Sequence, residues 1–133
     1  MKTAPAFWRA AALLAVIPAA WACGVCIEDK VAATYDHEVV VRAAAKGKLM
    51  VFCEIAGPLD ARRIRSAAHS VRGVDPASLR ISSQPAALSF ALEARQSPQA
   101  AVSDIQRGIP AGTHVAIVGV IAPGGALAKA PQR

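Results

Sequence analysis

The sequence predicts an α+β domain with elements in the order β-α-β-β-α-β, preceded by an additional helical segment. Three observations point there. Short β-branched or alternating runs (48–55, 78–83, 88–92 and 113–121) are interleaved with two stretches of apolar residues at helical spacing. Gly and Pro stand at the boundaries between them. Apolar residues make up 54% of the 133 residues but aromatics only 5%, which implies one small Ala- and Val-rich core. A disordered chain would be poorer in apolar residues, and a multidomain enzyme would be longer, since one domain takes roughly 100–200 residues.

The first strand is Lys48 to Ile55 (KLMVFCEI), rich in β-favouring Val, Phe and Ile and ended by Gly57-Pro58. Asp60 then suits an N-cap. From Ala61 to Arg72, residues Ile64, Ala67, Ala68 and Val71 fall at i, i+3, i+4 and i+7, which is one apolar helix face, and Gly73 is a stop signal. Arg62, Arg65, His69 and Arg72 lie away from that face, on a solvated exterior or one that meets an acidic partner or anionic lipid. Val74-Asp75-Pro76 reads as a turn, and Ser78 to Ser83 as a half-buried strand with Leu79 and Ile81 inward. Gln84-Pro85 turns the chain into a returning strand, where Leu88, Phe90 and Leu92 alternate with Ser89, Ala91 and Glu93. Ser97 is the N-cap of a second helix and Pro98 occupies its first turn. Val102, Ile105 and Ile109 form its inner side. Thr113 to Ile121 is apolar almost throughout, as in a strand covered on both faces. Ala122 to Arg133 is rich in Ala, Pro and Gly and is expected to fray.

Two crossover helices joining four strands make the ferredoxin-like arrangement, a βαββαβ sandwich. The residues here resemble the heavy-metal-associated domain of metallochaperones and copper-transporting ATPases. The resemblance runs from Lys48 to Ile121. It rests on the helix Ala61–Arg72 and on the run from Arg72 through Gly73-Val74 to Ser82, where a Gly-Val follows the first helix and leads into the second strand. Ala101 to Gly108 is similar to the family's second helix with its closing Gly. The resemblance implies a ferredoxin-like fold. The family's metal loop, Met-x-Cys-x-x-Cys between first strand and first helix, is replaced here by Ile55-Ala56-Gly57-Pro58-Leu59-Asp60, so no ligand carries over.

Ahead of the domain, Lys2 and Arg9 precede the apolar run Ala10 to Ala20, and Ala20-Trp21-Ala22 follows. A positive start, a short apolar core and an A-x-A site form a secretory signal peptide. The run is shorter than the about 20 residues that span a bilayer, and Pro18 breaks helix near the cut. Cleavage after Ala22 makes Cys23 the first residue and sends the protein to the periplasm or outside the cell. It removes two of the fifteen basic residues and none of the nine acidic ones, so the net charge falls from +6 to +4. No dense basic stripe interleaved with aromatics remains, which excludes nucleic acid as the expected partner. A lipid on Cys23 is the alternative fate of the new N-terminus, and membrane contact is expected only in that case. Trp21 fits it poorly, because lipoprotein signals end in residues resembling Leu-Ala-Gly. The chain thus divides into a signal peptide (1–22), a Cys-containing N-terminal segment (23–47), the ferredoxin-like domain (48–121) and a flexible tail (122–133).

Chemistry concentrates in Cys23-Gly24-Val25-Cys26. Two thiolates two residues apart can converge on one soft ion. Zinc would want four ligands and no second pair exists, whereas two-coordinate Cu(I) needs only two, so copper leads. The same spacing can form a reducible disulfide, and an exporting compartment permits it. Ile27 stands where a haem-attachment motif needs His. Val31, Tyr35, Val39 and Ala43 are at helical spacing, and such a helix could cover the sheet face left open by the other two. Val39-Val40-Val41 leaves a strand through 38–42 as the alternative. His37, beside Asp36, is a candidate third ligand or an outer partner of one, or else part of a solvated helical face. Cys53 shares a strand face with Val51 and Ile55. It is a small buried hydrophobe, a third thiolate, or, with Cys23 acylated, the disulfide partner of Cys26. No nucleophile elbow, zinc-protease helix or phosphate loop is present. The expected function is therefore non-enzymatic: an exported protein that holds or relays a soft metal ion to a metal-transfer or membrane-associated partner. The alternatives are a thiol–disulfide redox protein and a lipid-anchored interaction domain.

Overall fold

The computed structural model describes residues 27–129. The expected signal peptide and both Cys23 and Cys26 lie outside the described residues. Five strands form one sheet: β1 (Lys48–Ala56), β2 (Arg80–Ser83), β3 (Ala86–Glu93), β4 (His114–Ile121) and β5 (Leu127–Lys129). Their spatial order is β2-β3-β1-β4-β5 with every neighbouring pair antiparallel. Four helices accompany them: α1 (Ile27–Thr34), α2 (His37–Ala45), α3 (Ala61–Ser70) and α4 (Pro98–Arg107). The protein is therefore α+β.

Period-two alternation in the strands produces two cores. Val51, Cys53 and Ile55 of β1, Leu88, Phe90 and Leu92 of β3, and Val115 of β4 face Ile64, Ala67 and Ala68 of α3 and Val102 and Ile105 of α4. Met50 and Phe52 of β1, Ala91 of β3 and Val118 of β4 face Val31, Val39 and Ala43 from α1 and α2. The sheet is thus covered by helices on both sides. A bulge in β4 shifts which of its residues face the second core. Phe52 pairs with Gly119 and Cys53 with Ile117, which leaves Val118 as an extra residue turned into the α1–α2 core.

The expected caps are in place. Asp60 accepts from the Arg63 N–H at 3.1 Å and starts α3; Ser97 accepts from the Ala100 N–H at 3.3 Å and starts α4, with Pro98 in its first turn. Helix α3 ends at Ser70 rather than Arg72, because Val71 already has extended dihedrals. A 3-10 turn over Pro76–Ser78, capped by Asp75, occupies the start of the predicted second strand. At the far end of β1, Gly57 has φ +92°, and a Cβ there would collide with the Gly112 backbone, so the loop after β1 is closed against the one before β4.

Two expectations are corrected. The segment after Cys26 is neither one helix nor a strand over 38–42. The Asp36 carboxylate accepts from the Glu38 and Val39 N–H groups at 3.0 and 3.2 Å, which interrupts the helix and restarts it at His37. Tyr35 consequently leaves the buried stripe, although its ring still stacks on Phe52 at 6.4 Å. The tail does not fray throughout, since Leu127–Lys129 pairs with Gly119–Ile121 of β4. Leu127 packs on the α1–α2 core, and Lys129 is paired with Glu28 of α1.

The Asp36 carboxyl is held below the usual carboxylate range, chiefly by the Val39 N–H, with the Arg80 guanidinium at 3.2 Å adding to it. A carboxyl depressed by folding contributes stability above its unfolded pKa and loses it as the pH falls through the lower folded value. Acidification below about pH 4 is therefore expected to release the start of α2 first. Amide exchange at Glu38 and Val39 as a function of pH checks this, and Asp36→Ala should remove the acid dependence.

Candidate functional site

Helix α1 and the two residues after it cross the sheet from the β5 edge to the β2 edge, and four contacts mark the path. At its start, Glu28 pairs with Lys129 of β5. In its middle, Lys30 pairs with Glu54 of the central strand β1. At its end, the Thr34 carbonyl accepts from the Ser89 hydroxyl of β3 at 3.1 Å, and Asp36 just beyond reaches Arg80 of β2. The Lys129 ammonium also holds the Glu28 carboxyl below its ordinary range. Ile27, half-buried against the α1–α2 core, fixes where the chain enters this layer. The Cys23–Cys26 pair immediately precedes Ile27 in sequence, so Cys26 is bonded to a residue at the β4–β5 side of the sheet.

His37 follows Asp36, which is paired to β2. Strands are spaced about 4.8 Å apart, so the β2 and β5 edges are separated by roughly 19 Å. His37 is also exposed. In the described structure His37 therefore follows a residue tied to the β2 edge, whereas Ile27 enters at the β4–β5 side.

Cys53 lies elsewhere. It is fully buried in the core beneath α3 and α4, on the face opposite α1 and α2. Burial pushes its thiol far up, and the neighbouring Glu54 carboxylate adds to that, so the sulfur stays protonated. The described structure thus gives Cys53 the place of a small buried hydrophobe. The thiol of Cys53 lies on the face opposite the layer that Ile27 enters, and Cys26, its alternative disulfide partner, lies outside the described residues. Of the four candidate ligands, the described structure places two, Cys53 and His37, and brings neither to the start of α1.

The structure places other groups near that start. Asp29 is exposed on α1, Glu28 is held by Lys129, and the end of β5 lies alongside. Lys129 could not be found from local pattern, because its partner is 101 residues away. On the opposite face of β4 and β5, a shallow concavity of about 490 Å³ is lined by Val102, Ile117, Val120 and Ala128, with Gln99 and Ser103 at its rim. Its lining is mainly apolar, and Lys129 joins Gln99 and Ser103 as its polar side chains. Among the described residues, no three His, Cys, Asp or Glu side chains gather at one point. The three histidines, His37, His69 and His114, are exposed and dispersed over different elements. No family model, curated protein or solved structure matches the chain.

Proposed function

We propose that the protein is an exported, ferredoxin-like binding protein that holds or relays a soft cation, with Cu(I) favoured, through Cys23 and Cys26. The observation that carries this reading is the spacing Cys23-Gly24-Val25-Cys26 directly ahead of a segment, Ile27 to Asp36, that is tied to both edges of the sheet. Two thiolates on a short loop satisfy a two-coordinate soft ion without a third protein ligand. The signal-peptide pattern over residues 1–22 supports export, where such a cargo is handled outside the cytoplasm. The strand order β2-β3-β1-β4 with α3 and α4 on one face supports the ferredoxin-like assignment, with β5 and the α1–α2 layer as additions. The role is non-enzymatic. Exchange of the ion onto a partner's thiolates would pass it on without change of oxidation state.

Titration of the protein with Cu(I) against a competing chelator tests this. The expected result is one equivalent bound, lost when Cys23→Ser and Cys26→Ser are combined and retained in Cys53→Ala and His37→Ala. Binding that survives the double serine variant would overturn the proposal.

A further inference from the structure

The charges of this protein are not spread evenly. Most acids are consumed in ion pairs: Glu54 with Lys30, Asp75 and Glu93 with Lys48, Asp60 with Arg63, Asp36 with Arg80, Asp104 with Arg107, and Glu28 with Lys129. Among the described residues, the carboxylates left without a cation are Asp29 and Glu38, both on the α1–α2 side of the sheet. On the other side, Arg62, Arg65 and Arg72 have no carboxylate partner among the described residues, and neither does Arg95. Arg62, Arg65 and His69 share one side of α3 by helical spacing, and Arg72 follows its end. The loop carrying Arg95 is brought alongside, since Gly73 lies against Gln96 with no room for a Cβ. The acids close to this row in sequence, Asp60, Asp75 and Glu93, are already held by Arg63 at 3.7 Å and by Lys48 at 3.6 and 3.5 Å.

This row is exposed and has no apolar centre. The outward residues of α3 are Ala61, Arg62, Arg63, Arg65, Ser66, His69 and Ser70. The exposed large hydrophobic residues, Tyr35 and Val41, both belong to the opposite layer. A stable protein interface requires a desolvated patch with aromatic or aliphatic anchors, and the α3 surface offers none. A layer of anionic headgroups requires only cations held near it, each contributing through Coulomb attraction within a Debye length. We propose that the outer face of α3 docks this protein on an anionic phospholipid surface through Arg62, Arg65 and Arg72. The contact is peripheral, needs no lipid on Cys23, and does not rest on the metal reading. It presents the α1–α2 layer, with the start of α1, to the solvent side.

Co-sedimentation of the full chain with vesicles tests it without any metal present. Phosphatidylcholine vesicles set the apolar background, including any contribution from residues 1–22. Vesicles of phosphatidylglycerol and phosphatidylethanolamine should bind well above that background at low salt and return to it at about 0.5 M salt. Combining Arg62→Gln, Arg65→Gln and Arg72→Gln should weaken the anionic binding about fivefold per arginine, about a hundredfold in all. Arg42→Gln with Lys46→Gln, which removes unpaired cations from α2 on the other side, should leave it within about twofold. All five side chains are exposed, so the variants keep the fold, read by far-ultraviolet circular dichroism. Wild-type binding no stronger to anionic than to phosphatidylcholine vesicles would overturn the proposal. So would a triple variant that binds normally, or an α2 variant that loses as much. Capture by poly-glutamate but not by anionic vesicles would overturn it in favour of an acidic protein partner.

Discussion

Phe52→Ala is expected to destabilise the protein by about 3–5 kcal/mol, the range for deleting a buried aromatic from a packed core. Phe52 is fully buried. It stands at the centre of the smaller core, where Val31, Val39 and Ala43 of the two N-terminal helices meet the sheet, and Tyr35 stacks on its ring. That core has few other large side chains, so neighbours can refill little of the cavity. The polar ties between α1 and the sheet would survive the substitution. They are partly exposed, and exposed ion pairs contribute about 0–1 kcal/mol each. Chemical denaturation should show the lowered midpoint. Hydrogen exchange should show α1 and α2 losing protection while β1 and β3 keep theirs, because the Val51, Phe90 and Leu92 core on the other face is untouched. Equal loss of protection throughout would mean that the two layers open as one unit.

The second large effect concerns Cys53. In a variant carrying Cys23→Ser and Cys26→Ser, Cys53 is the only thiol in the chain. Its alkylation by iodoacetamide is expected to be at least about a thousandfold slower in the native protein than in denaturant. Two causes act in the same direction. The sulfur is enclosed by Ile64, Leu88 and Phe90 and their neighbours. Burial also raises its pKa, and only the thiolate is the nucleophile. Reaction then follows the small unfolded population, of order 10⁻³ or below for a marginally stable domain. Rapid native labelling would show an accessible thiolate and would restore Cys53 as a candidate ligand.

Local chemistry made most of the elements legible. Asp60 and Ser97 act as caps because a short acceptor side chain directly precedes an apolar helical face. The same logic applies at Asp36, but the helical spacing of Val31, Tyr35, Val39 and Ala43 runs straight through it. A continuous stripe and a cap conflict there, and the cap prevails because the two helices bury Val31 and Val39 without needing a straight axis. Alternation placed Cys53 with Val51 and Ile55 correctly. The helical spacing of Val31, Val39 and Ala43 also pointed to a segment covering the open sheet face, and those three residues do pack there. Strand β5 was illegible. Leu127–Lys129 has no β pattern of its own and is held by β4 and by Glu28 at the other end of the chain. The candidate site was legible only as two cysteines. The structure places His37 on the exposed start of α2 and Cys53 in the core beneath α3 and α4.

The bulge in β4 has a consequence for how motion passes through the molecule. Without its extra residue, Ile121 would point to the same side as Val115; with it, Ile121 packs on the α1–α2 core. Strands β4 and β1 form a shared wall whose studs project alternately into two rooms: Phe52 and Val118 into one, Cys53 and Val115 into the other. A load applied to the α1–α2 side is therefore felt within one residue on the α3–α4 side. The entry to the cysteine-bearing segment and the arginine row are separate surfaces fastened to opposite sides of the same partition.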